Sequence, residues 1–120
     1  MANGLWLDDT GGDGIPLVLL HPGITDSRVW DQVLPHLLGH RVIRFDRRGY
    51  GRSPRATAPY SAMGDLIAVL DELGIDRAHL VGNSMGGETS LALAVTAPDR
   101  VASMTLLCPG INGYPWPEDD

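Results

Sequence analysis

Ala78-His79-Leu80-Val81-Gly82-Asn83-Ser84-Met85-Gly86-Gly87 decides the fold of this 120-residue chain. A short run from Ala78 to Val81, apolar but for His79, leads into G-x-S-x-G and then into an apolar stretch from Met85 to Ala97. Pro98 ends that stretch, because the residue before a proline is pushed out of helical geometry. The order predicts a buried strand, an abrupt turn with Ser84 at its apex, and a helix. Side chains two positions from the apex would collide in so tight a turn. Glycine at 82 and 86 removes them, and Gly87 lets helix and strand approach closely. Ser84 is then presented at the C-terminal edge of a sheet, above a helix N-terminus whose dipole favours the negative charge of an attacked carbonyl. It is the candidate catalytic nucleophile.

The segments on either side alternate between short apolar runs and amphipathic stretches. Leu17-Val18-Leu19-Leu20 follows Pro16 and predicts a strand buried on both faces, ending in the turn His21-Pro22-Gly23. Trp30, Val33, Leu34, Leu37 and Leu38 recur at helical spacing, with Asp26 or Ser27 as cap and Gly39 as stop. Arg41 to Asp46 predicts the next strand, followed by the loop Arg47 to Pro54. Ser61 to Leu73 predicts a helix with Met63, Leu66, Ile67, Leu70 and Leu73 on one face, stopped by Gly74. Val101 to Cys108 predicts a fourth buried strand. Leu5-Trp6-Leu7 reads as an extra edge strand before the turn Thr10 to Gly14. The tail 109–120, with three prolines, two glycines and the acids Glu118, Asp119 and Asp120, reads as loop. The expected class is α/β, a mostly parallel sheet flanked by helices, in one domain without repeats or linkers.

Composition narrows the partners. The chain is 43% hydrophobic and 20% charged, ordinary for a globular domain and contrary to disorder. A net charge of −6 disfavours nucleic acid and anionic membranes, and no apolar run approaches the ~18 residues that span a bilayer. Every basic residue is arginine, and six of the nine fall between Arg41 and Arg55. Without interleaved aromatics that cluster reads as an Arg-rich surface loop beside a strand rather than an anion-binding patch. A lone cysteine, Cys108, allows no internal disulfide and suits a reducing cytoplasm; its apolar neighbours predict a packed core thiol. No basic n-region or long apolar stretch opens the chain, so no secretory signal is expected.

A second element supports the turn at Ser84. His21-Pro22-Gly23 follows the first buried strand, where a backbone N–H of the strand-to-helix loop would complete an oxyanion hole. The N–H of Met85 is one candidate donor and that of Gly23 the other, with Ile24 as substitute. Each such donor lowers a barrier by about 3–4 kcal/mol.

Taken together, Leu19-Leu20-His21-Pro22-Gly23, Phe45-Asp46-Arg47-Arg48-Gly49-Tyr50-Gly51-Arg52-Ser53 and Gly82 to Gly87 resemble, in order and spacing, the α/β-hydrolase fold superfamily. Ala97-Pro98-Asp99-Arg100-Val101 resembles its step from the elbow helix into the next strand. The resemblance implies that Ser84 is the nucleophile and that Met85 and Gly23 are the oxyanion donors. It also implies that His21 is a structural histidine, and that Asp46, Arg48, Gly49, Gly51 and Ser53 form a supporting loop without chemistry of its own. No cofactor or metal is implied, and the partner is a small-molecule substrate. Pro22 departs from the family's usual glycine. The stretch Asn83 to Gly87 resembles the elbow of hydrolases that cleave carbon–carbon bonds of ring-fission products. The other two loops resemble esterase, enol-lactone hydrolase and cofactor-free haloperoxidase branches. A serine apex argues against the dehalogenase and epoxide hydrolase branches, which use aspartate there.

Triad order in this fold is Ser, then Asp or Glu, then His. All four histidines (21, 36, 40 and 79) precede Ser84, and none follows it. His36 and His40 read as surface residues and His79 as a satisfied strand histidine. Glu88 and Asp99 are poorly placed to orient a base. The chain is therefore expected to be the N-terminal part of a serine hydrolase, inactive alone and exposing a sheet edge. The alternatives are a carbon–carbon bond hydrolase and a non-catalytic binding protein of the same fold.

Overall fold

The computed structural model describes residues 2–111 together with Gly113, Pro115 and Pro117. The acids Glu118, Asp119 and Asp120 of the expected tail loop lie outside the described residues. The strands are β1 (Leu7–Asp9), β2 (Leu17–Leu20), β3 (Val42–Phe45), β4 (Ala78–Asn83) and β5 (Val101–Leu107), and the helices α1 (Ala62–Glu72) and α2 (Met85–Thr96). They form one sheet in the order β1-β3-β2-β4-β5. Only β1 runs antiparallel, pairing Leu7 with Phe45 and Asp9 with Ile43. The other three pairings are parallel.

This order brings the C-terminal ends of β3, β2 and β4 side by side, so the loops at His21, Asp46 and Ser84 meet at one edge. Alternation along the strands divides the core. Val18, Leu20, Ile43, Phe45, Ala78 and Leu80 face the helical layer, where they pack with Leu66, Val69, Leu70 and Leu93. Leu19 and Val42 face the other way, onto Trp30. Helix α1 is capped by Ser61, whose side chain accepts from the Gly64 N–H, and ends at Gly74 with φ +67. No helix among the described residues is long and apolar enough to cross a membrane.

Three expectations change. The predicted helix between Asp26 and Gly39 is two short 3-10 turns, Ser27–Trp30 and Leu34–Leu37. Pro35 lacks an N–H and would press on the carbonyl four residues back, so this segment closes i to i−3 bonds, such as Val33 N–H to Trp30 O at 2.9 Å. The N-terminal edge strand lies two residues later than the Leu5-Trp6-Leu7 reading, while Leu5 itself is fully buried in the core. Strand β5 is not buried: Ser103, Met104, Thr105 and Leu107 are exposed at the sheet edge, and so is Cys108, which therefore is no core thiol. Apolar composition marks a strand but not whether anything covers it.

Candidate active site

Ser84 leaves β4 with φ +53 and ψ −110, a backbone conformation that side chains rarely adopt, and α2 begins at the next residue. Its neighbours explain how the strain is held. A Cβ at Gly82 would lie 2.5 Å from the Gly86 oxygen, and one at Gly86 would strike the Leu20 carbonyl. At Gly87 the nearest obstacle is Pro109, 2.7 Å away, rather than β4, so this glycine admits the loop after β5. The Ser84 N–H bonds to the Leu107 oxygen at 2.9 Å, and its carbonyl accepts from Glu88 N–H (3.0 Å) and Gly110 N–H (3.1 Å). The turn is fixed by its own main chain. The Ser84 side chain is half-buried and makes no hydrogen bond to the helix it caps.

The loop after β2 packs directly on the elbow. The Met85 sulfur occupies the place a Cβ on Gly23 would need. Pro22 O is held by two donors, His21 Nδ1 at 2.6 Å and Thr25 Oγ1 at 2.8 Å. In a trans peptide the carbonyl and the following N–H point in opposite directions, so anchoring Pro22 O aims the Gly23 N–H away from His21. Among the described residues, neither the Gly23 N–H nor the Met85 N–H has a backbone acceptor. Ile24, the substitute donor, has φ +56 and is 95% exposed.

His21 is fully buried with both ring nitrogens engaged: Nε2 accepts from the Arg47 N–H at 2.9 Å. That bond assigns the proton to Nδ1, which donates to Pro22 O. Burial pushes the imidazole below its ordinary pKa, so it is neutral and locked between two loops. It is not free to take a proton from Ser84. His36 and His40 are exposed, as expected. His79 bonds Ser103 Oγ at 2.6 Å, five residues and about 16 Å down the strand from Ser84 at strand rise.

The loop after β3 is a scaffold. Asp46 is fully buried and accepts from Ser27 N–H (2.8 Å), Arg52 N–H (2.9 Å) and Arg52 Nε (3.0 Å). Burial pushes its carboxyl up, but the hydrogen bonds from Arg52 and Ser27 outweigh that and leave it below its usual range. Gly51, at φ +51, passes where a Cβ would lie 2.5 Å from Asp46 Oδ2. Ser53 Oγ donates to Asp46 O at 2.6 Å and accepts from Trp6 N–H at 3.0 Å, tying in the N-terminal segment. Arg48 forms a two-point fork on Asp65 of α1 (2.7 and 3.0 Å). The arginine cluster is thus mostly built into the fold rather than a solvated loop. Among the described residues, no His, Cys, Asp and Glu cluster could hold a metal ion.

A strained serine thus stands between a parallel strand and a helix, beside two N–H groups without a backbone acceptor among the described residues. The family model for the alpha/beta hydrolase fold matches residues 16–120. The chain belongs to this family. It is 41% identical over 119 residues to the 2-hydroxymuconate semialdehyde hydrolase of Pseudomonas sp. (strain CF600), covering 92% of this chain and 41% of that protein. Among solved structures, it is similar to Est816, an N-acyl homoserine lactone degrading enzyme (39% identity, TM-score 0.80, 88% of this chain and 42% of that one). It is also similar to the enol-lactonase from Burkholderia xenovorans LB400 (36% identity, TM-score 0.78, 83% and 41%). The chain spans about two fifths of the length of these relatives.

Proposed function

We propose that this chain is the nucleophile-bearing part of a serine hydrolase that acts on a small ester, lactone or related carbonyl compound. The observation that carries the reading is the backbone of Ser84, φ +53 and ψ −110, at the junction of β4 and α2. Few residues hold such a conformation unless function requires it. The Ser84 hydroxyl attacks the substrate carbonyl, and the developing oxyanion is received by the N–H groups of Gly23 and Met85. Collapse of this intermediate expels the alcohol and leaves an acyl group on Ser84, which water then removes. The proton of Ser84 passes to a histidine base, oriented by an acid, in the part of the fold that the relatives have and residues 1–120 do not span. His21, bonded through both nitrogens, and His79, far down β4, do not fill that role. His21, Asp46 and Arg48 support the loops, and Gly82 and Gly86 admit the turn.

A fluorophosphonate probe tests this on the full-length protein. Labelling of Ser84, lost in Ser84→Ala, is expected; an unlabelled Ser84 overturns the reading. The 41% identity to a 2-hydroxymuconate semialdehyde hydrolase favours a second reading, carbon–carbon bond hydrolysis on the same serine. Turnover of a vinylogous diketo acid faster than simple esters would select it.

A further inference from the structure

Four of the six arginines between 41 and 55 end on carboxylates: Arg41 on Asp9, Arg44 on Asp8 and Asp31, Arg48 on Asp65, and Arg52 on Asp46. Arg55 is exposed. Arg47 differs from all of these. It is partly buried, and its side chain makes one long hydrogen bond among the described residues, Nη1 to Thr89 Oγ1 at 3.4 Å. No carboxylate of those residues lies within ion-pair distance. Burial lowers its pKa, yet a guanidinium stays charged at any physiological pH, and only one of its five donors has a hydrogen-bond partner among the described residues.

That space is a recess beside the elbow. Arg47 lines it with Leu20, Phe45, Tyr50, Tyr60 and Met85, the residue after the candidate nucleophile. Asp65 is the carboxylate on its wall, and Arg48 already occupies both its oxygens. Glu88 attracts Arg47 from beyond ion-pair distance, across an adjoining recess that Arg47 also lines with Ser61 and Met63. The first recess therefore offers an aromatic and aliphatic wall and one planar cation that makes no direct ion pair among the described residues. Arg47 and Ser84 follow strands separated by β2 alone, about 10 Å apart at sheet spacing, and the Arg47 side chain reaches Thr89 in the second turn of α2.

We propose that Arg47 anchors a carboxylate carried by the substrate itself, one short aliphatic arm from the carbonyl that Ser84 attacks. This deepens the function proposed above and rests on it. A planar guanidinium matches a carboxylate through two parallel hydrogen bonds, and the apolar wall suits the arm between.

The test uses the full-length protein with two esters of equal length, mono-4-nitrophenyl glutarate and 4-nitrophenyl valerate. The wild type should prefer the glutarate ester, and the ratio of the two kcat/KM values should fall by about tenfold or more in Arg47→Gln, chiefly through KM. Arg47→Lys should recover part of the ratio, since it keeps the charge but not the fork. An unchanged ratio overturns the proposal. Should Arg47→Gln not fold, glutarate must still inhibit wild-type valerate hydrolysis competitively; absence of inhibition is equally fatal. If the wild type hydrolyses neither ester, the serine hydrolase reading is what fails. Glutarate binding by calorimetry, expected in the wild type and weakened in the variants, then decides the anchor alone.

Discussion

Gly86 lies against the main chain of Leu20: a Cβ built on it would strike the Leu20 oxygen and come within 2.7 Å of its carbonyl carbon. The obstacle is backbone in the neighbouring strand β2, so no rotamer change relieves it. Gly86→Ala should therefore destabilise the protein by about 1–3 kcal/mol or more, because overpacking against main chain forces strand and helix apart. The urea midpoint measures this, and a wild-type midpoint would refute the contact.

Ser84 supplies the opposite experiment. Its left-handed backbone costs about 1–3 kcal/mol for a residue with a side chain, whereas glycine adopts it freely. Glycine also frees the unfolded chain, which takes back about 0.4–1 kcal/mol. Ser84→Gly should thus be inactive yet more stable than Ser84→Ala by about 1 kcal/mol, visible as a higher melting temperature. Equal melting temperatures would mean the turn carries no strain.

His21 makes stability depend on pH in a defined direction. Its folded pKa lies below the ordinary histidine value because the ring is buried, so the unfolded state binds the proton more readily. The contribution is fully present above about pH 6.5, the unfolded value, and is lost as pH falls through the folded pKa. In urea titrations the advantage of wild type over His21→Gln should be greatest above neutrality and shrink on acidification. A constant difference would contradict the assigned neutral tautomer.

Asp46 collects three N–H donors in a site closed to water. Asp46→Asn keeps the shape but can turn an amide N–H toward one of those donors. Leaving a buried group unsatisfied costs about 1–3 kcal/mol, and the loss should appear in thermal melting. The carboxyl titrates below its usual range, so its stabilisation holds above about pH 4 and fades below it. The variant should lack that acid-range dependence.

Much of this architecture was legible locally. Leu17 to Leu20 is a run apolar on both faces, and a parallel strand between layers needs that pattern; Ala78 to Val81 keeps it but for His79. Gly82 and Gly86 flank Ser84 because no larger residue fits, and that constraint is written in five adjacent letters. What escaped depends on neighbours distant in sequence. Trp30 to Leu38 has helical spacing, but Pro35 among those residues removes the bond an α-helix would need. Cys108 and Met104 look like core until the sheet order puts β5 at an edge. Arg47 is one arginine in a cluster until Asp9, Asp31 and Asp65 arrive from elsewhere and claim its neighbours. The burial of His21 was equally hidden in the sequence itself, where only the family resemblance implied a structural role.

The carbonyl of Ser84 is shared by two amide donors, one in α2 and one at Gly110 beyond β5. The peptide plane that presents the hydroxyl is therefore hinged on the segment leaving the sheet as well as on the helix. Pro109 against Gly87 presses the same segment onto the helix's first turn. A tug on residues 109–111 would rotate the serine without touching its side chain. Whatever packs against residues 109–111 thus has a mechanical lever on Ser84.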